Sequence, residues 1–106
     1  MKPELLEERF KEIFDEVMAY RNSGQREYAQ ATNAFSNFEK LSTELNTTPQ
    51  KVLWTYAMKH KDGIASHLRG NVSQREDVRG RIKDLIVYLF ILHAMEDYYS
   101  DKSNSK

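Results

Sequence analysis

The residues best suited to chemistry are polar side chains set on or beside apolar helical stripes. Asp84 stands directly before the apolar run Leu85 to Leu92 and one turn ahead of Tyr88. A carboxylate that close to a core needs a partner. Arg26, Lys59 or a bound metal would serve, and the simpler outcome is a structural ion pair or hydrogen bond. Lys59-His60 falls in the middle of another apolar-striped segment, with Asp62 two residues on. His60 lies on the stripe itself, where an imidazole buries its ring and bonds once or twice, so a core histidine competes with a ligand-binding one. Glu27-Tyr28 follows Arg26 near the end of a first helical unit. Asn37 lies off the face formed by Phe35 and Phe38, where it can cap, meet solvent or read a base or ribose edge.

Other chemistries are excluded by what the chain lacks. His60, His67 and His93 are not spaced as a zinc triad, and there is no glycine-rich phosphate loop, no H-E-x-x-H and no G-x-S-x-G. With no cysteine there is no disulfide, no thiolate zinc site and no thiol nucleophile, and an intracellular setting is the expectation. Sixteen basic side chains balance sixteen acidic ones. A formal charge of zero argues against nucleic-acid binding by bulk electrostatics. The strip Arg69, Arg75, Arg79, Arg81 and Lys83 is interrupted by Glu76 and Asp77 and reads as a solvated face. It also complements the acidic first segment with Glu4, Glu7, Glu8, Glu12, Asp15 and Glu16. The start lacks an apolar leader, and the longest apolar run is far short of the roughly 20 residues that span a bilayer. A cytoplasmic protein without a membrane partner is expected.

The elements that must position these residues are helices. At 106 residues the chain fits one domain, able to bury roughly two thirds of its unfolded surface without staples. From Pro3 to Asn22, Leu6, Phe10, Ile13, Phe14 and Val17 recur at three and four, predicting a helix with that stripe toward a core and a stop at Ser23-Gly24. A shorter helix is predicted from about Ala34 to Leu45, with Phe35, Phe38, Leu41 and Leu45 inward. Thr48 caps the next helix and Pro49 opens it, where its missing N–H costs nothing. That helix runs to Arg69, with Leu53, Ala57, His60, Ile64 and Leu68 along one side and Gly70 as its stop. Gly63 is a weak point inside it, costing about 1 kcal/mol relative to Ala unless something packs closely there. Ser73 and Glu76 read as a capping box that starts a fourth helix, whose main face is Val78, Ile82, Leu85, Ile86, Leu89 and Leu92. Val87, Phe90 and Ile91 make its second half apolar nearly all round. Such a helix is either the centre of the bundle or the seam of a homodimer, and in so short a chain an oligomer is expected. Residues Ser100 to Lys106 form a polar tail expected to fray.

Taken in order, Arg26-Glu27-Tyr28-Ala29, Asn37-Phe38, Thr48-Pro49-x-Lys51-x-Leu53-Trp54, Lys59-His60 and Ile82-x-Asp84-x-x-x-Tyr88-Leu89 resemble a family of small bacteriophage proteins over roughly residues 20 to 95. That family is similar in turn to the MazG-like all-α nucleoside triphosphate pyrophosphohydrolases. The resemblance implies an all-α, small four-helix bundle in which carboxylates from two or more helices hold magnesium against a triphosphate. Glu27 and Asp84 match the family's acidic positions, and Lys59, His60 and Asn37 its other polar ones. The chain departs from the pattern at Gly80, Ser66 and Val87, and in the shortened Ala31-Thr32-Asn33 loop. An all-protein magnesium site needs several oxygen ligands, and only Glu27, Asp84 and Asp62 are left to supply carboxylates.

Three functions compete. The leading expectation is a phage-type protein with a degenerate metal site and no cofactor, which binds a nucleotide, a nucleotide-derived signal or a host protein in a sequestering or anti-defence role. In it Arg26 and Lys59 meet phosphate, Tyr28 stacks or bonds, and Asn37 and His60 read polar edges. The second is a magnesium-dependent nucleotide pyrophosphohydrolase with Glu27, Asp62 and Asp84 as metal ligands. The third is a non-catalytic interaction module in which these residues are structural and the fourth helix forms an oligomer seam.

Overall fold

The computed structural model describes residues 1–25, 34–71 and 77–104. They form four helices, α1 (Pro3–Gln25), α2 (Ser36–Glu44), α3 (Pro49–Leu68) and α4 (Val78–Asn104), with no strand among the described residues. None of these helices is long and apolar enough to cross a membrane. The chain divides into two units, Met1–Thr32 and Asn33–Lys106.

In the first unit α1 passes through Ser23-Gly24 and ends at Gln25, beyond the predicted stop. A glycine ends a helix when it turns left-handed, and the described glycine that does so is Gly70. Arg9 donates to Glu12 at 2.8 Å and to Glu16 at 3.1 Å along one face. These carboxylates hold the Arg9 guanidinium above its ordinary pKa. The predicted stripe is only partly inward: Val17 is buried and Ile13 half-buried, whereas Leu6, Phe10 and Phe14 are exposed, Phe10 at 58%. Spacing marks a stripe but does not supply what covers it.

In the second unit α3 packs against both α2 and α4. Helices α2 and α3 end in the same way. After α2, Asn46 turns left-handed at φ 55°, Thr47 N–H donates to Ser42 C=O at 2.8 Å and Asn46 N–H to Thr43 C=O at 3.3 Å. After α3, Gly70 takes φ 95°, with Asn71 N–H on Ser66 C=O and Gly70 N–H on His67 C=O. Both are Schellman ends, using the two residue types that best tolerate a left-handed turn. Thr48 Oγ1 accepts from Lys51 N–H at 3.2 Å, so the predicted cap forms. Helix α4 starts at Val78 rather than Ser73, because Asp77 takes the capping role and accepts from Arg79 N–H at 3.0 Å. That bond, with the Arg79 side chain, holds the Asp77 carboxyl below its ordinary pKa. Ser73 and Glu76 lie outside the described residues. The helix runs through Ser100 to Asn104, with no glycine or proline to stop it before then.

Val52, Leu53, Ala57 and Met95 are buried, and Leu53 and Met95 have no exposed surface. Several predicted core positions are corrected. Leu45 and Leu68 are 67% and 78% exposed because each sits at the closing turn of its helix. Ile82 and Leu89 are also exposed. Tyr88 and Met95 lie instead on the side of α4 that meets α3, one turn apart from Asp84 and Leu92 in succession.

Candidate functional site

Tyr56, Lys59, His60 and Gly63 occupy positions i, i+3, i+4 and i+7 of α3, which places them along one face. Across the seam α4 offers Tyr88, Asp84 and Arg81 in antiparallel order. The Tyr56 and Tyr88 rings are nearly parallel, with centroids 6.3 Å apart and planes at 13°. The imidazole of His60 lies 5.4 Å from the Tyr88 ring and tilts 30° to it. Its Nδ1 is 3.7 Å from Asp84 Oδ2, with the two side chains 18% and 25% exposed.

This separation is an ion-pair distance and too long for a hydrogen bond. Nδ1 is buried and has no hydrogen-bond partner. A neutral imidazole with its proton on Nε2 turns an acceptor toward an acceptor, and one protonated on Nδ1 aims a donor that falls short. The pair therefore keeps unused hydrogen-bonding capacity in a place where such capacity is costly to leave idle.

One turn further along, Gly63 has a specific use. A methyl group at position 63 would lie 2.6 Å from Arg81 Nη1 and 2.8 Å from its Cδ. The Arg81 side chain thus rests on the α3 backbone itself, half-buried, in space that any side chain would fill. This is the close packing that makes a glycine tolerable inside a helix.

Of the residues singled out in the sequence, the fold brings His60 and Asp84 together and places Lys59 at their edge, exposed. Asn37 and Asp62 are exposed, Asn37 on α2 and Asp62 two residues past His60 and so turned away from it. Arg26, Glu27 and Tyr28 lie outside the described residues. Among the described residues no three His, Asp or Glu side chains converge as a metal ion requires. Tyr56, Gly63 and Arg81 join the site without having been assigned to it. The usable signal was Gly63, an unexplained glycine in mid-helix, but its opposite number depends on helix register.

A second polar pair lies at the other end of the unit. Tyr99 donates to Glu39 Oε1 at 2.8 Å, tying α4 to α2. Phe35 meets Tyr98 edge-on, with centroids at 5.5 Å. Burial, and then the Glu39 carboxylate, push the Tyr99 phenol above its ordinary pKa.

No known family matches the chain, and no curated protein or solved structure is significantly similar to it. The chemistry open to the site is therefore that of its own residues: ring stacking, one imidazole–carboxylate pair, and two cations.

Proposed function

We propose that this chain binds a nucleotide or nucleotide-derived ligand at the α3–α4 seam without turning it over. The observation that carries this reading is the part-buried His60–Asp84 pair, 3.7 Å apart, in which His60 Nδ1 makes no hydrogen bond. A ligand that donates a hydrogen bond meets the Asp84 carboxylate, whose side chain is 25% exposed. The Tyr56 and Tyr88 rings offer apolar faces next to that pair, and exposed Lys59 offers a positive charge. A sequestering or anti-defence role in a host cytoplasm follows if the resemblance to small phage proteins and the MazG-like bundle holds.

Calorimetric titration with nucleosides, mono- and triphosphates and cyclic dinucleotides, with and without magnesium, tests it. Binding without product supports the proposal. Release of pyrophosphate, lost in Asp84→Ala, replaces it with a magnesium-dependent pyrophosphohydrolase in which Glu27, Asp62 and Asp84 ligate the metal. Silence across the panel overturns it.

A second reading is favoured by the exposed Ile82 and Leu89 on α4. In it the chain is an interaction module for a host protein or for further copies of itself, with α4 as the seam. It predicts a nucleotide-blind protein whose solution mass is a multiple of 12.5 kDa.

A further inference from the structure

We infer that two copies of this chain pair by exchange, the first half of α1 in each copy docking on the outer face of α3 in the other, with Trp54 at the centre of the contact. The inference stands apart from the nucleotide-binding reading, because it uses a face of α3 that Tyr56 and His60 do not share. It also differs from an α4 seam in the surface it uses.

The outer face of α3 carries a mixed apolar and basic stripe. Lys51, Trp54, Met58, Lys61 and Ala65 follow one another at intervals of three and four, so they line one side of the helix, opposite the buried Val52 and Leu53. Trp54 is 49% exposed. Lys51 and Lys61 are exposed beside it, and neither has an ion pair among the described residues. From residue 49 to residue 69 there are four Lys and Arg side chains and a single carboxylate, Asp62. An exposed tryptophan set between unspent cations suits an apolar helix that brings carboxylates with it.

Helix α1 has that chemistry. It is the helix of its unit, and its first half leaves Leu5, Leu6 and Phe10 exposed at 54%, 40% and 58%. A helix that covers so little of its apolar stripe draws little stability from packing. From residue 4 to residue 16 there are six carboxylates and two cations, and one of the cations, Arg9, is already held by Glu12 and Glu16. Glu7 adjoins Leu6 and lies one turn before Phe10, exposed and without an ion pair among the described residues. The two faces therefore complement each other in apolar surface and in charge. Each is exposed on the single chain, and a second copy supplies the cover. One helix-on-helix contact is small. Reciprocal exchange about a two-fold axis makes two of them, which brings the buried area toward the roughly 1,200 to 2,000 Å² of a stable interface.

Trp54 is the only tryptophan in the chain, so its emission reports on this face directly. Sedimentation and tryptophan emission, followed together over a dilution series of the full chain, test the exchange. The concentrated wild-type chain should sediment at twice 12.5 kDa, and its emission should move to the red as it dilutes and dissociates. Phe10→Ser should weaken the association roughly 30-fold or more, as loss of an aromatic anchor does. Lys51→Glu with Lys61→Glu should weaken it too, and so should Glu4→Lys with Glu7→Lys. An equal mixture of these two charge-reversed chains should pair where neither pairs alone. Circular dichroism checks each variant for helix, and the mixture carries the test if Phe10→Ser loses it. A mass of 12.5 kDa at every concentration overturns the inference, whether Trp54 is then exposed or covered within its own chain. A dimer that neither Phe10→Ser nor the charge reversals weaken also overturns it, and loss of that dimer in Leu89→Ser assigns the seam to α4 instead. Nucleotide binding is decided separately, by its own titration.

Discussion

Tyr99–Glu39 and His60–Asp84 are both part-buried polar pairs that bridge helices of the same unit, and only one of them is closed. The phenol meets its carboxylate at 2.8 Å, whereas the imidazole stops 3.7 Å from its own. At the first pair an edge-on aromatic cluster of Phe35, Tyr98 and Tyr99 surrounds a completed bond. At the second, flat rings flank an atom with nothing to bond. A pair that serves to hold helices together is finished when the chain folds. A pair left open at similar burial has capacity for something that arrives later. On the proposed reading, the contrast separates fastening from recognition within one small unit.

This contrast is easiest to break at its base, the assumption that the apolar layer holds the helices whatever the pairs do. Leu53 is fully buried, so Leu53→Ala should cost about 2–5 kcal/mol in urea unfolding. A loss below about 1 kcal/mol would mean that the polar pairs hold the unit instead.

The closed pair gives a smaller effect with a definite pH signature. Tyr99→Phe should cost about 1 kcal/mol at neutral pH. Folding raises the phenol's hold on its proton, so above about pH 10 the unfolded chain releases a proton that the folded chain keeps. The stability owed to Tyr99 is therefore complete below that pH and is lost as pH rises beyond it. Urea midpoints followed into alkali should fall less steeply for Tyr99→Phe than for the wild-type chain, and equal slopes would show that the bond is absent in solution.

The open pair should give the smallest change. Asp84→Asn removes the charge but supplies an amide that can donate to His60 Nδ1, so thermal midpoints should indicate a change within about 0.5 kcal/mol. A loss as large as that of Tyr99→Phe would show that the two pairs do the same job, and the distinction between them would go.

Much of this architecture was legible in the sequence because it depends on neighbours along the chain. The period of three and four marked the helices, Thr48 and Pro49 marked the start of α3, and Gly70 its end. Asn46, just past the predicted end of the second helix at Leu45, is a left-handed helix end equivalent to Gly70, a role open to asparagine but seldom required of it. Leu45 and Leu68 continued an apolar pattern past the point where anything packs on it. The site divides in the same way. Asp84 and His60 stood out because polar residues on apolar stripes are conspicuous one helix at a time. Tyr56 and Arg81 are ordinary residues until α3 and α4 are set side by side, and so are Tyr99 and Glu39, sixty positions apart. Register between helices is settled by packing over the whole seam, and no local pattern records it.

Gly63 bears on that register in a further way. Gly63 faces Arg81, His60 faces Asp84 and Tyr56 faces Tyr88, so each match lies about one turn from the next. Were α4 to slide by a turn, Arg81 would come against His60 or His67, where a side chain already stands. Gly63 is the single position in α3 without one. It works as a keyway, giving the long side chain of Arg81 a place against the α3 backbone at this setting of the two helices. The absence of an atom thereby makes room for a contact that belongs to this alignment of the two helices.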